Sequence, residues 1–459
     1  MKTKRRIINV FSLLVCLFTI KLMTPSIVIP DSTVMFASTP NPVGSGARAI
    51  GMGGAFIGIA DDATSASWNT GGLPQLDFPE FSIVYNYSHI AENLFPSISL
   101  GANGKQSVDN KDLNYFSLSY VFKFMERANA FSLNYQNLYN FNKEWDFPIR
   151  LKQDSNIGIV DFTGQQRFVQ DGGLSALGLA WAIQWTQKLS FGFTLNVWDD
   201  NLCNNKWKEE NILHDCVISS NIFGENVTYP YETEITKDNY SFDGVNFNLG
   251  VLFRPKEDFT IGFVYKSPFK ADIDHRHFEK NQYTNEKENM KMPASFGIGV
   301  SYNFPDVFKR SGDNYPDEFK ISADIYHTQW QNYININAYG KEKSPISNLT
   351  VSQSNVKPTT QIRLGAEYLW IQRQFMVPFR MGLFYDPAPS NGSPDTYWGF
   401  SLGSGLKKDY FSFDIAYQAR FGNDVGDSII PGYDFKMDVE EHQVFCSFIF
   451  YLTKDKKDE

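Results

Sequence analysis

Seven charged side chains stand at alternate positions in otherwise apolar runs: Lys320 and Asp324 in "FKISADIYHT", Arg363 and Glu367 in "TQIRLGAEYLW", Arg380, and Asp414 and Arg420 in "DYFSFDIAYQARF". A guanidinium fits a carboxylate through two parallel hydrogen bonds. These groups therefore either pair with one another or leave an arginine for a ligand carboxylate, and Arg363 and Arg420 are the candidate ligand-binding residues. Nearer the front, Asp61 and Asp62 can cap a short helix, bond an inward arginine or contribute to a cation site. His275-Arg276-His277 offers two imidazoles but no further ligands at metal-site spacing. His214-Asp215-Cys216 holds nucleophile-type residues, yet three consecutive side chains cannot converge as base and nucleophile must. Gly44 to Ala49 fits G-x-G-x-x-A, but no strand precedes it and no βαβ unit follows. These patterns lead us to expect no catalytic residue, no metal ligand and no cofactor.

The elements that carry the charges have period two. In "DYFSFDIAYQARF", Phe411, Phe413, Ile415, Tyr417, Ala419 and Phe421 alternate with Ser412, Asp414, Ala416, Gln418 and Arg420, which sorts an apolar face from a polar one only in a strand. About fourteen such segments begin near Phe81, Leu113, Ala130, Leu174, Leu189, Phe242, Phe259, Ala294, Phe319, Thr360, Met376, Tyr397, Tyr410 and Glu441. Short turns at 185–188, 254–258 and 406–409 alternate with long polar loops near 89–112, 142–173, 199–240, 268–293, 330–359, 386–396 and 421–440; the link at 304–318 is long where a short one is expected. That pattern predicts an all-β transmembrane antiparallel barrel of about fourteen strands, with short turns and both termini periplasmic. A soluble, secreted β-sandwich also alternates, but it does not account for several large aromatics on the apolar face of nearly every strand.

Composition agrees. Of the 459 residues 16% are aromatic, and no run after the N-terminus is long and apolar enough for a spanning helix. Lys2, Lys4, Arg5 and Arg6 followed by the apolar stretch 7–20 read as a secretory signal, with 1–37 the expected signal peptide. Cleavage after Ala37 leaves 37 basic against 50 acidic residues, a balance that argues against nucleic acid as a partner. Cys203 and Cys216 could close a loop disulfide in an oxidising compartment, whereas Cys446 reads as a small hydrophobe.

A barrel of this size encloses a lumen that its own side chains cannot fill. Residues 38–80 precede the barrel (81–452), lack alternation and are rich in glycine and alanine, so they are expected to plug it; 453–459 form a charged tail. The stretch "GARAIGMGGAFIGIADDATSASWNTGGL" resembles the N-terminal segment of the FadL/TodX family of outer-membrane transporters for long-chain fatty acids and other hydrophobic compounds. The resemblance is sharpest at Gly46-Ala47-Arg48-Ala49, Gly51, Gly53-Gly54-Ala55, Ala60-Asp61-Asp62-Ala63 and Trp68-Asn69. It implies that Gly51, Gly53, Gly54, Asp61, Asp62, Trp68 and Asn69 belong to a hatch, and that a hydrophobic small molecule binds between hatch and wall. It further implies that hatch movement opens a lateral exit to outer-membrane lipid through a kinked third strand of a Gram-negative outer-membrane barrel. Two departures stand out: Asn69-Thr70-Gly71 lacks the proline common in the family, and "ANAFSLNYQNLYNF" at 128–141 holds no Gly or Pro to mark a kink. The same motif also resembles PorV-like barrels of protein secretion systems. Passive uptake of a hydrophobic compound, without catalysis, is the expected function.

Overall fold

The computed structural model describes residues 44–95, 101–155, 158–222, 225–305, 317–427, 429 and 435–452. The expected signal peptide, the charged tail and most of the 304–318 link lie outside the described residues. Fourteen strands form the barrel: β1 (Glu80–Leu94), β2 (Gly104–Phe124), β3 (Arg127–Asn140), β4 (Gly158–Thr186), β5 (Leu189–Trp198), β6 (Glu234–Lys256), β7 (Phe259–Lys266), β8 (Ser295–Pro305), β9 (Glu318–Thr328), β10 (Thr359–Ile371), β11 (Met376–Tyr385), β12 (Tyr397–Lys408), β13 (Phe411–Val425) and β14 (Met437–Tyr451). Each pairs antiparallel with the next, and β14 returns to β1 with Phe450 opposite Phe81 and Met437 opposite Leu94. The return of β14 to β1 removes the two free edges that an open sheet would present to an apolar bilayer.

Alternation places one face in lipid. Leu383, Leu179 and Leu402 are 62%, 58% and 51% exposed, while on β13 Ser412, Asp414 and Ala416 are buried. Strands are joined at one end by short turns at 125–126, 187–188, 257–258, 372–375 and 409–410. Met125 and Glu126 both have positive φ (49° and 62°), as a two-residue hairpin turn of the primed type requires.

At the other end the structure corrects the expectation of polar loops. β4 and β6 run past the rim, and with Lys143–Ser155, Lys206–Ile222, Phe269–Glu279 and Gln282–Met292 they build one continuous antiparallel wall. The physical reason is alternation inside these polar stretches: Trp145, Phe147 and Ile149 turn to one side and pack on Phe168 and Phe435. Each such aromatic contributes about 1.5–3 kcal/mol on burial. A second cluster joins Tyr139, Trp198, Trp207, Tyr240 and Trp330.

Cys203, Cys216 and Cys446 are free. Cys203 ends the short helix Asp200–Cys203, whereas Cys216 lies ten residues along the extended strand that begins at Lys206. At ~3.3 Å per residue that strand carries the two thiols far beyond disulfide reach.

Candidate functional site

The N-terminal segment fills the lumen as two short helices, α1 (Ala47–Gly51) and α2 (Ser65–Trp68), followed by the 3-10 turn Thr70–Gln75. Its backbone lies directly on the wall because the wall presents glycine there. A Cβ on Gly192, Gly250, Gly262, Gly365 or Gly382 would overlap the segment's backbone or the Asn69 side chain. Register aligns several of these glycines in pairs across the sheet, Gly192 opposite Gly250 and Gly365 opposite Gly382. They form a belt on which the segment sits. Gly53 and Gly54 have φ of +68° and +72°, which lets the chain turn sharply at its closest approach to β11.

The expected hatch residues all make specific contacts. Ser401 Oγ donates to Gly51 O (3.0 Å) and accepts from Gly53 N (2.8 Å), and Arg363 Nη1 donates to Gly53 O (2.9 Å). Asp61 pairs with Arg48 (2.6 Å) and Lys320 (3.5 Å), while Asp62 Oδ1 accepts from Thr64 N (2.9 Å) and Oγ1 (2.6 Å). The principal partner of the acidic pair is thus the segment's own Arg48 and not a wall arginine. Trp68 Nε1 donates to Ser45 O (2.6 Å). Asn69 Nδ2 donates to Ile57 O (2.9 Å) and to Val251 O (3.0 Å) of β6, and its Oδ1 accepts from Gly71 N (3.1 Å). Asn69 therefore opens the 3-10 turn by side-chain capping without the proline common in the family.

Six of the seven inward charges are buried and Lys320 is partly so, and all but Asp324 have an ion-pair partner among the described residues. Asp324 Oδ2 accepts from Phe56 N (2.7 Å) and Ile57 N (2.8 Å). Glu367 binds Arg380 (2.7 Å), which also binds Asp414 (2.6 Å). Arg363 and Arg420 converge on Asp386, at 3.9 and 3.2 Å, and Arg420 also meets Glu441 at 3.5 Å. Asp386 was not singled out from the sequence; it sits at the strand-to-loop junction of "YDPAPS", where a strand end was the only legible signal.

Three cavities share lining residues, and the second and third of them run beside the segment. The first, about 40 Å³, is bounded by Tyr139, Trp198, Phe269, Met292 and Lys266. The second, about 10 Å³, is bounded by Lys266, Trp68, Asp324 and Arg363. The third, about 90 Å³, has a mixed lining, with Arg363, Arg420, Asp112 and Glu441 beside Ile50 and Phe445. Lys266 joins the first two, Arg363 and Gly44 join the last two, and Leu138 lines both the first and the third. Asp324 Oδ1 and Arg363 Nε, both at the middle cavity, are buried without a hydrogen-bond partner among the described residues. The middle cavity has room for about one water.

The third cavity abuts a break in the wall. β3 pairs with β2 only from Arg127 to Gln136, and past that point β2 keeps its ladder with β1 alone. Both flanking strands bulge here. Asn114 is the extra residue on β2 against β1, between the pairs Val84 with Tyr115 and Tyr85 with Leu113; Leu138 is the extra residue on β3 against β4. The third strand is irregular after all, with neither Gly nor Pro responsible. Side chains span the gap, Asn140 Nδ2 donating to Asp112 Oδ2 at 2.8 Å.

Of the other groups, Cys216 is buried while His214 and Asp215 hydrogen-bond at the surface (3.0 Å), so the three do not converge. His275 and His277, by contrast, meet acidic side chains from neighbouring strands.

Residues 41–397 match the family model described as outer membrane protein transport protein (OMPP1/FadL/TodX). The fold is similar to that of a Pseudomonas aeruginosa FadL homologue, with a TM-score of 0.58 at 14% identity, covering 90% of this chain and 99% of that one. It is also similar to the Pseudomonas putida toluene transporter TodX, with a TM-score of 0.51 at 13% identity over 89% and 98% of the two chains. Curated protein sequences gave no match.

Proposed function

Since the chain belongs to the OMPP1/FadL/TodX family of outer membrane transport proteins, we propose that it takes up a long-chain fatty acid or another hydrophobic small molecule passively and releases it sideways into the outer membrane. In this reading the long-strand wall faces outside and both termini face the periplasm. The ligand's apolar part enters against Tyr139, Trp198, Phe269 and Met292, where Lys266 meets a carboxylate if the ligand carries one. It passes Trp68 and Arg363 to the third cavity and leaves between β2 and β3, where the backbone ladder is open. The observation that carries this proposal is the shared lining of the three cavities, ending at the paired bulges of Asn114 and Leu138.

The middle cavity is too narrow for any such ligand, so passage requires the hatch to shift on its glycine belt. Arg363 is suited to this step because its guanidinium holds Gly53 O and it lines both the middle and the third cavity. Arg363 and Arg420 receive a ligand carboxylate only by exchanging it for Asp386. A ligand without a charge, such as the toluene carried by the solved Pseudomonas putida relative, would leave that pairing undisturbed.

The test is uptake of radiolabelled oleate, and in parallel of toluene, by a host lacking its own fatty-acid transporter, with insertion verified by heat-modifiable gel mobility. Uptake of either above the empty vector supports the proposal and assigns the ligand class. A well-inserted barrel that takes up neither would overturn it in favour of a PorV-like docking barrel for protein secretion.

A further inference from the structure

His275 and His277 lie two residues apart on Phe269–Glu279, so both rings project from one face of that strand. Register brings acidic groups from both neighbours to the same face: Asp238 of β6 pairs directly with His277, and on Gln282–Met292 Glu288 stands opposite Ile273, one step along from His275. The ligand atoms of Asp238, His275 and His277 lie within 4.8 Å of one another. His275 Nε2 is 2.7 Å and His277 Nδ1 is 2.6 Å from the same oxygen, Asp238 Oδ1. Asp238 is only 1% exposed, yet its second oxygen, Oδ2, has no hydrogen-bond partner among the described residues. A buried carboxylate that keeps one oxygen unsatisfied beside two imidazoles is the arrangement a bound cation would complete.

We propose that Asp238, His275 and His277 form a binding site for a zinc-type divalent transition-metal ion in the wall that rises above the barrel. Two imidazole nitrogens and a carboxylate suit zinc and its first-row neighbours, whereas calcium and magnesium favour all-oxygen sets. Ligand atoms around such an ion stand about 3.3 Å apart when the metal–nitrogen distance is about 2.0–2.1 Å, so the two nitrogen–oxygen distances each need to open by less than about 1 Å to admit one. The supporting shell is already in place. Glu288 Oε1 is 3.1 Å from His275 Nδ1, which directs the Nε2 lone pair toward Asp238, and Asn335 Nδ2 holds the other Glu288 oxygen at 2.8 Å. Tyr240 stacks on the His275 ring with centroids 4.3 Å apart. Glu279 Oε2 stands 3.8 Å from His277 Nε2, on the side away from the metal. Three protein ligands leave a fourth position for water.

The ion would clamp Phe269–Glu279 to β6. That strand begins at Phe269, a lining residue of the aromatic cavity, so occupancy would stiffen the wall beside it.

The experiment is isothermal titration calorimetry on the untagged, chelator-stripped full-length barrel in detergent, using zinc chloride, with calcium and magnesium chlorides as separate arms. The expected result is one zinc per chain in the micromolar range or tighter, with neither calcium nor magnesium competing. His277→Gln and Asp238→Asn should each weaken zinc at least tenfold, and Glu288→Gln about 10- to 100-fold, while His89→Gln, distant in sequence and on β1, should leave it unchanged. Heat-modifiable mobility of each variant verifies folding. Absence of stoichiometric zinc binding, or affinity retained in a folded His277→Gln, would overturn the proposal and leave the cluster a hydrogen-bonded ion-pair network.

Discussion

Arg48 of the hatch and Glu367 of β10 form a bidentate pair, Nε to Oε1 at 2.9 Å and Nη2 to Oε2 at 3.0 Å, with Glu367 fully buried. Arg380 binds the same carboxylate and passes the chain of charges on to Asp414. Breaking a buried pair by removing one partner strands the other charge, at a cost of about 3–5 kcal/mol. Glu367→Gln is therefore expected to lower the urea midpoint of heat-modifiable unfolding by about that free energy, and to raise the permeability of reconstituted vesicles to small sugars as the hatch loosens. An unchanged midpoint would show that the pair does not hold the hatch.

A belt of glycine predicts a steric result. Gly382→Val places side-chain atoms where Gly53 backbone now lies, and overpacking of this kind costs about 1–3 kcal/mol. The barrel should still insert, because its lipid face is untouched, but protease should cut the hatch faster. Protection equal to the wild type would mean that the wall has room for the added methyls.

The lipid face has a different sensitivity. Leu383 is 62% exposed on β11, and Leu383→Arg is expected to destabilise the inserted barrel by about 2–4 kcal/mol if it lies near the bilayer midplane. Folding titrations into vesicles measure this directly. No loss would place Leu383 at the membrane surface.

Asp395, on the loop between β11 and β12, accepts from Gly426 N at 2.9 Å. Burial, aided by Asp427, pushes its carboxyl up to about 6 despite that hydrogen bond. The folded state therefore holds the proton more tightly than the unfolded chain. This stabilising contribution is complete below the unfolded pKa, about 3.9, and disappears as pH rises through about 6. Asp395→Asn, which keeps an acceptor and removes the charge, is expected to match the wild-type Tm near pH 4 and exceed it at pH 7.5. The reverse order would show that Asp395 is stabilised as the anion.

These features were unequally legible. Alternation in β13 was plain because Phe411, Phe413 and Ile415 meet lipid while Asp414 and Arg420 must be sheltered, and two solvents this different sort residues sharply. The inward charges were readable for the same reason, and their pairing followed from the cost of burying an unpaired charge. The wall above the barrel was hidden because Trp145, Phe147 and Ile149 alternate with strongly polar neighbours over too few residues to stand out. Asp238 is remote in sequence from His275, and only the register of two strands makes them neighbours. The bulges at Asn114 and Leu138 were invisible because neither residue has an unusual backbone preference; an extra residue is a property of two strands measured against each other.

That last point yields the sharpest test of lateral release. Leu138 is the one residue of β3 left over between the pairs Asn137 with Ser175 and Tyr139 with Leu174. Deleting it keeps both flanking pairs and regularises the strand, so Tyr139 retains its place in the aromatic cluster. The third cavity loses a lining residue beside the open ladder, and β3 can follow β2 further toward Asp112. Insertion and heat-modifiable mobility are expected to stay as in the wild type while uptake of the transported ligand falls at least tenfold. Leu138→Ala keeps the bulge and should retain most of the uptake, which separates the irregular backbone from the leucine side chain. Full uptake by the deletion variant would show that ligand leaves by another route, through the hatch itself.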